Sequence, residues 1–383
     1  MRTFSYHNPV HILFGAHTIA QLPDLLPTGS RLLMTYGQGS IRRNGVYQQV
    51  KEALQGWSLL EFGSLEPNPQ YETCMKAVEL CRREGITFLL AVGGGSVLDG
   101  SKFIAAATLF QGDPWRIVAE NAPIEAALPL GSVLTLPATG SEMNGFAVIS
   151  RLSNQEKRGF GSPHCYPRFA ILDPHTTFSL DDRQVANGIV DTFVHVTEQY
   201  LTYPVQASLQ DRQAEAILLT LIEEAPKVRL TPRAYTVRAN LMWCATQGLN
   251  GLIGCGVPQD WSTHLIGHEL TALYGLDHGQ SLAVVLPGVL RYNQAAKQEK
   301  LVQYARRVWG LGHGSAEALA TAAIEKTVAF FQEVGVKTRL SDYGLGMEAV
   351  EAVSNRLAAR QVQLGEQGNI DGSAVAAILK MRL

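Results

Sequence analysis

No stretch of this 383-residue chain contains the roughly 20 consecutive apolar residues that a membrane-spanning helix needs, so a membrane is not an expected partner. Long basic runs are missing too. The net charge is −2, and Arg42-Arg43, Arg82-Arg83 and Arg306-Arg307 are only doublets, which argues against nucleic acid or an anionic lipid surface. Cysteine is scarce and poorly spaced for metal or redox work. Cys74, Cys81, Cys165, Cys244 and Cys255 are odd in number, contain no C-x-x-C, and read as reduced, mostly buried thiols. The first residues, MRTFSYHNPVHILFG, lack the apolar core of a secretory signal, and a reducing cytoplasm is the expected location. There is no internal repeat or low-complexity tract. What remains is ordinary globular material, 46% hydrophobic and 17% charged, in a chain long enough for two cores.

Against that background the histidines stand out. Asp260 to Ser281, DWSTHLIGHELTALYGLDHGQS, holds three of the ten. On a helix starting near Trp261, His264 and His268 share a face, and His278 follows a break at Gly275 that lets it fold back toward them. In ANGIVDTFVHVTEQY, Asp191 and His195 are likewise four residues apart on one helical face. A lone pair of this kind is more often a hydrogen-bonded core or surface residue. Two pairs and a fifth residue, set among apolar neighbours where bare polar groups are costly, point to a shared metal ion. His268-Glu269 does not open a zincin motif, because Ala272 stands where the second histidine should be.

The first half alternates short apolar runs (VHILF, RLLMTY, WSLLEF, ITFLLAV, SVLTLP, RFAILD) with helical segments such as 46–54, the pattern of a mostly parallel α/β sheet. The texture changes at DPHTTFSLDD, where Asp181 or Asp182 can cap a helix starting near Gln184. A boundary near residue 180 follows. Beyond it, segments 206–224, 234–249, 298–309 and 316–334 have helical period and no clear strand is visible, so the second domain reads as a helical bundle.

A buried strand runs into Gly93-Gly94-Gly95-Ser96 and then into an apolar helix, a turn that lets backbone N–H groups and a helix N-terminus meet a pyrophosphate. Its spacing is neither G-x-G-x-x-G nor a Walker A motif, and glycine serves tight turns for geometry alone. Asp99 and Lys102, one turn on, are expected to face whatever the glycines hold. Three more loops follow strands and crowd the same sheet edge, Tyr36 to Ser40, EPNP at 66–69 and PATGSE at 137–142, together describing a dinucleotide cleft.

GGGSVLD, EPNP, PATGSE, D-x3-H and H-x3-H-x9-H, in this order, resemble the iron-containing alcohol dehydrogenase family from HILFG to LSDYGLG. Within it the chain is similar to bacterial NADPH-dependent, broad-substrate aldehyde reductases, also called butanol dehydrogenases. The resemblance implies a dehydroquinate synthase-like fold. An α/β dinucleotide-binding domain would span 1–180 and an all-α metal-binding, catalytic domain 181–383, with metal and nicotinamide meeting in the cleft between them. It further implies Asp191, His195, His264 and His278 as ligands of one divalent ion, iron or zinc, and His268 as a pocket residue able to relay a proton. Gly94, Gly95 and Ser96 would hold the pyrophosphate, with Asp99 near the nicotinamide and ribose. Thr135 and Thr139 would line the cofactor cleft, Lys157 would reach the ribose, and Asn68 and Pro69 would border the adenosine. One departure is visible: many relatives carry a longer P-T-T-x-G-T-x-S-E loop where this chain has PATGSE.

The implied activity is hydride transfer between NADP(H) and short to medium chain alcohols or aldehydes, in a homodimer. Asn144, Phe146, Leu252 and His268 are candidates for a mostly apolar substrate pocket. Cofactor choice is argued from the loop after the second strand. Gly37, Gln38, Gly39 and Ser40 include no carboxylate to select NAD, so Ser40 and the backbone can donate to a 2′-phosphate, with Arg42 or Arg43 adding charge. Two rival readings are an enzyme of the dehydroquinate synthase or glycerol-1-phosphate dehydrogenase type and a non-catalytic metal- and nucleotide-binding protein. The first needs a basic phosphate anchor, and only Arg183 borders the metal segments.

Overall fold

A computed structural model describes residues 1–383. The apolar runs of the first half become β1 (His11–Phe14), β2 (Arg31–Tyr36), β3 (Ser58–Phe62), β4 (Phe88–Gly94), β5 (Leu130–Leu136) and β8 (Phe169–Leu172). They form one parallel sheet in the order β1-β8-β5-β4-β2-β3. Between them lie α1 (Leu22–Leu25), α2 (Ser40–Arg43), α3 (Val46–Ala53), α4 (Tyr71–Glu84), α5 (Gly95–Leu109) and α6 (Trp115–Ala119).

Strand period explains the two cores. Leu32, Met34, Leu90 and Val92 point to one face, where they pack with Val46 and Val50 of α3. Leu33, Leu89 and Ala91 point to the other, against Val78 of α4 and Phe103 and Ile104 of α5. A parallel sheet covered on both sides has no polar face, which is why these strands read as continuous apolar runs. One element went unread in the sequence. β6 (Phe146–Arg151) and β7 (Glu156–Gly161) form a separate antiparallel hairpin. Its residues alternate with charges (EKRGFG), so it carries no buried-strand signal.

The helices that follow are α7 (Asp182–Tyr200), α8 (Ser208–Leu230), α9 (Tyr235–Gly248), α10 (Ser262–Tyr274), α11 (His278–Tyr292), α12 (Gln298–Arg307), α13 (Ala316–Glu333), α14 (Met347–Ala359) and α15 (Gly372–Lys380). One compact unit comprises His7–Leu180 with Arg233–Thr246, and the other Met1–Tyr6, Asp181–Pro232 and Gln247–Leu383. The chain thus changes unit at residue 181 but leaves the helical unit again for most of α9. The reason is local packing: Met242 of α9 is buried with Val10, just before β1, and with Leu134, Ala170 and Leu172 of the sheet. Helical period alone cannot reveal which core a helix joins.

Within the helical unit, Ile266 and Leu270 of α10, Val284, Val285 and Val289 of α11, and apolar residues of α14 and α15 share one core. The back of α7 is anchored by Phe193, whose ring lies 5.3 Å from Phe330 and 5.4 Å from Phe331 of α13. No helix is long and apolar enough to cross a membrane.

Candidate functional site

Helix α7 starts on a capping box. Gln184 N donates to Asp181 Oδ1 at 2.7 Å and Asp181 N to Gln184 Oε1 at 3.4 Å, which fixes the rotation of the helix from its first turn. Asp191, His195 and Glu198, at i, i+4 and i+7, then share one face, and all three are buried. Helix α10 is capped by Gly275 at φ 71°, and α11 begins three residues later at His278. Three contacts seat α11 on α7. Asp277 Oδ2 accepts Arg183 Nη1 at 2.7 Å and Asn187 Nδ2 at 2.8 Å. Gly279 meets the Asn187 backbone so closely that a Cβ there would stand 2.6 Å from the Asn187 carbonyl oxygen.

Asp191 Oδ1 is the meeting point of three imidazoles. It lies 3.3 Å from His195 Nδ1, 3.7 Å from His264 Nε2 and 3.6 Å from His278 Nε2. The donor atoms of Asp191, His195 and His264 all fall within 4.8 Å of one another, while His278 borders Asp191 from the rim. His268 borders this group, its ring centroid 6.4 Å from that of His264 and 5.4 Å from that of His278.

These residues fit a divalent ion on their own chemistry. Metal–ligand bonds of about 2.0–2.1 Å put tetrahedral ligand atoms ~3.3–3.4 Å apart, close to the separations found. No hydrogen bond satisfies the buried His195 Nδ1 or His264 Nε2. The electrostatics agree. Burial pushes His195 down to about 4, so it is a neutral imidazole able to donate a lone pair. Burial would do the same to His264, but Glu198 and Asp191 outweigh it and hold that ring at about 9, the mark of a place that calls for positive charge.

Glu198 is the functional residue that spacing did not single out. One of its oxygens accepts His264 Nδ1 and the His264 backbone N–H, and the other accepts Thr263 N at 2.6 Å. The carboxylate therefore fixes which nitrogen of His264 carries the proton and leaves Nε2 to face Asp191. Its signal was present at i+3 from His195, but the partner lies 66 residues away.

In the other unit, the loops after β2, β3, β4, β5 and β8 share the carboxyl edge of the sheet, and the chain reverses direction across the sheet between β2 and β4, where open α/β sheets bind ligands. Gly37 approaches Leu65 of the β3 loop and Val97 of α5. Asn68, at φ 57°, donates its N–H to Ser96 Oγ at 3.3 Å and accepts Lys157 Nζ at 2.8 Å, while Pro69 O accepts Ser150 N, so the β6–β7 hairpin is tied to the β3 loop. Thr135 is buried in β5, and Gln38 and Ser40 are exposed.

The three glycines do more packing than their spacing suggests. A Cβ would stand 2.5 Å from Val97 at Gly93, 2.9 Å from Leu136 at Gly94 and 2.6 Å from Thr139 Oγ1 at Gly95. The expectation that Asp99 and Lys102 face what the glycines hold is not met. Asp99 accepts Ser141 Oγ at 2.7 Å and Val148 N at 2.9 Å. Lys102 is fully buried on the 141–146 segment, and Asn144, expected to line a pocket, has its amide oxygen on Lys102 and Phe146 N. Arg42 is likewise engaged, donating to Tyr36 Oη at 2.7 Å and Glu61 Oε2 at 3.1 Å over the Tyr47 ring. Glu61 comes from β3, where a reading confined to the β2 loop could not see it.

Residues 9–174 match the iron-containing alcohol dehydrogenase family and residues 185–383 the C-terminal domain of the Fe-containing alcohol dehydrogenase family. The chain belongs to the iron-containing alcohol dehydrogenases. It is 54% identical over 374 residues to the NADPH-dependent aldehyde reductase YqhD of Escherichia coli, covering 97% of each chain. It is 38% identical over 388 residues, all of both chains, to the probable NADH-dependent butanol dehydrogenase 1 of Bacillus subtilis. A crystal structure of Escherichia coli YqhD superposes with a TM-score of 0.98 at 52% identity, covering 100% of this chain and 99% of that one. The NADH-dependent butanol dehydrogenase A of Thermotoga maritima gives 0.95 at 34% identity, with coverage of 100% and 99%. The α/β domain and helical domain of this iron-containing alcohol dehydrogenase are therefore those of its family.

Proposed function

We propose that the chain is a metal-dependent, NADPH-dependent aldehyde reductase that also runs as an alcohol dehydrogenase on short to medium chain substrates in the cytoplasm. The observation that carries the reading is the buried group of Asp191, His195 and His264 in a member of this family. The 54% identity to an NADPH-dependent aldehyde reductase supports the substrate class and cofactor.

In this reading Asp191, His195, His264 and His278 hold one divalent ion, iron or zinc. When bound, that ion would polarise a carbonyl oxygen and NADPH would supply the hydride. Glu198 holds the His264 ring so that Nε2 stays available. His268, buried beside His264 and His278, holds the proton that the product oxygen acquires. Asp99 braces the 141–148 loop and does not touch reacting atoms. Gly94, Gly95 and Ser96 supply backbone and hydroxyl donors to the pyrophosphate, Thr139 and Lys157 flank the dinucleotide, and Asn68 and Pro69 border its adenosine. Cofactor selection falls to Gly37, Ser40 and Arg43. Arg42 and Arg43 are both exposed, and Arg42 is paired with Glu61, which also accepts Lys51.

A phosphorylated substrate of the dehydroquinate synthase type is disfavoured, because Arg183 is paired with Asp277 at 2.7 Å and segments 184–200 and 260–281 contain no Lys or Arg. Steady-state kcat/KM over a series of linear aldehydes with NADPH and NADH tests the proposal. Metal-loaded protein should reduce them with NADPH preferred, and Gly37→Asp should erode that preference by repelling the 2′-phosphate. Metal-loaded protein that oxidises neither cofactor would leave the non-catalytic reading in its place.

A further inference from the structure

Lys102 is a buried charge with an unusually complete set of partners. Its ammonium donates to Ser141 Oγ at 2.8 Å, Asn144 Oδ1 at 3.0 Å and the Phe146 carbonyl at 2.7 Å. An ammonium has three donors, and all three are used. These acceptors govern the turn before them. Ser141 N donates to Thr139 Oγ1 at 3.2 Å, Asn144 Nδ2 donates to the Gly140 carbonyl at 2.9 Å, and Thr139 is the residue seated where a Cβ of Gly95 would be. Lys102 is fully buried and all three of its donors are spent on the loop.

We propose that Lys102 is a positioning residue for the dinucleotide, its ammonium holding the Thr139–Gly140 turn against Gly95 at the mouth of the glycine loop. The proposal rests on the NADPH reading above, since it concerns how tightly that cofactor is held.

The surroundings make this brace sensitive to pH. The charged and titratable groups around Lys102 are Asp99 on its own helix, Glu142 on the loop and Cys165 after β7, with Lys157 of β7 acting on Asp99. Burial pushes the ammonium down to about 8, against the pull of Asp99, Cys165 and Glu142. A neutral amine has two N–H donors for three acceptors, and the Ser141 proton is already committed to Asp99. Above that pH one acceptor is left unmatched in a buried place, and the turn is released.

The experiment is titration of NADPH into metal-loaded wild type, Lys102→Met and Ser141→Ala between pH 6.5 and about 9.5, with turnover and melting temperature measured alongside. Wild type should lose about 10-fold in affinity with a midpoint near pH 8. Lys102→Met should bind about 10-fold more weakly at low pH, with a flat profile, a raised KM for NADPH and kcat within a few-fold of wild type. Should Lys102→Met fail to fold, Ser141→Ala carries the test. It removes one acceptor and should weaken binding and move the midpoint to lower pH. A folded variant of either kind with wild-type affinity and pH profile overturns the proposal and leaves the NADPH reading intact. Wild type that binds no NADPH at any pH overturns both.

Discussion

The helical unit and the nucleotide unit both collect polar residues, but they do so by different rules. In the helical unit, Asp191, His195 and Glu198 converge because helix period puts i, i+4 and i+7 on one face, and the capping box at Asp181 sets which way that face points. In the nucleotide unit, Asp99 and Lys102 also lie one turn apart, yet neither faces the glycine loop, because Ser141, Asn144, Phe146 and Val148 reach both first. Polar groups whose neighbours leave donor atoms unsatisfied are ready for a ligand. Polar groups whose neighbours satisfy every donor are ready only to hold the chain.

The largest expected effect breaks the first half of that comparison. His264→Ala removes a metal ligand, and since Lewis-acid stabilisation is worth several kcal/mol, aldehyde reduction should fall by about 10³-fold or more together with metal content. NADPH binding should persist. Full metal occupancy in this variant, measured by elemental analysis, would dissolve the assigned ligand set.

Glu198→Gln sharpens it. The amide keeps one acceptor oxygen for three N–H groups, so the His264 ring loses its fixed tautomer, and metal affinity should drop by about 10–100-fold. A chelator competition that finds unchanged affinity would reduce Glu198 to a helix-end partner.

Gly95→Ala probes the other side. The new Cβ would collide with Thr139, and overpacking costs about 1–3 kcal/mol. KM for NADPH should rise and the melting temperature fall, while metal content stays at the wild-type level. Metal loss here would mean that Gly95 also supports the Asp191, His195 and His264 group, which the comparison does not foresee.

The smallest effect concerns a buried cluster in the helical unit, where Lys297 donates to Asp260, to Glu366 at 2.9 Å and to the Leu201 carbonyl at 2.8 Å. Burial and the Asp260 carboxylate raise Glu366 from 4.5 to about 7, while hydrogen bonds from Glu366 and Lys297 hold Asp260 below the usual carboxylate range. A raised carboxyl binds its proton more tightly folded than unfolded. Its contribution to stability is therefore complete below pH 4.5 and lost as pH rises through about 7. Glu366→Gln mimics the protonated form and should flatten that part of the profile in thermal melts taken at each pH. Parallel profiles for the two proteins would remove Glu366 from the account.

Much of this molecule was legible before any fold was known. Six apolar runs became the six strands of the parallel sheet, because a strand covered on both faces has no polar residues to interrupt it. Helical spacing paired Asp191 with His195 and His264 with His268, whereas the choice of His264 over His268 as the partner of Asp191 came from the family resemblance. The β6–β7 hairpin was not legible, since its charged, half-exposed strands lack that pattern. Nor was the pairing of Arg42 with Glu61, which comes from a different strand.

By itself, then, the sequence determined what periodicity and local stereochemistry control: which segments are strands, which are helices, and which side chains share a helical face. Tertiary structure alone decided which polar groups meet partners far along the chain. Glu198 meets His264 across 66 residues and Lys102 meets Asn144 across 42. The physical reason is that a hydrogen bond carries no trace in local composition. A carboxylate on a helix face looks the same whether its partner is water, a ligand or a distant imidazole, until packing brings one of them within reach.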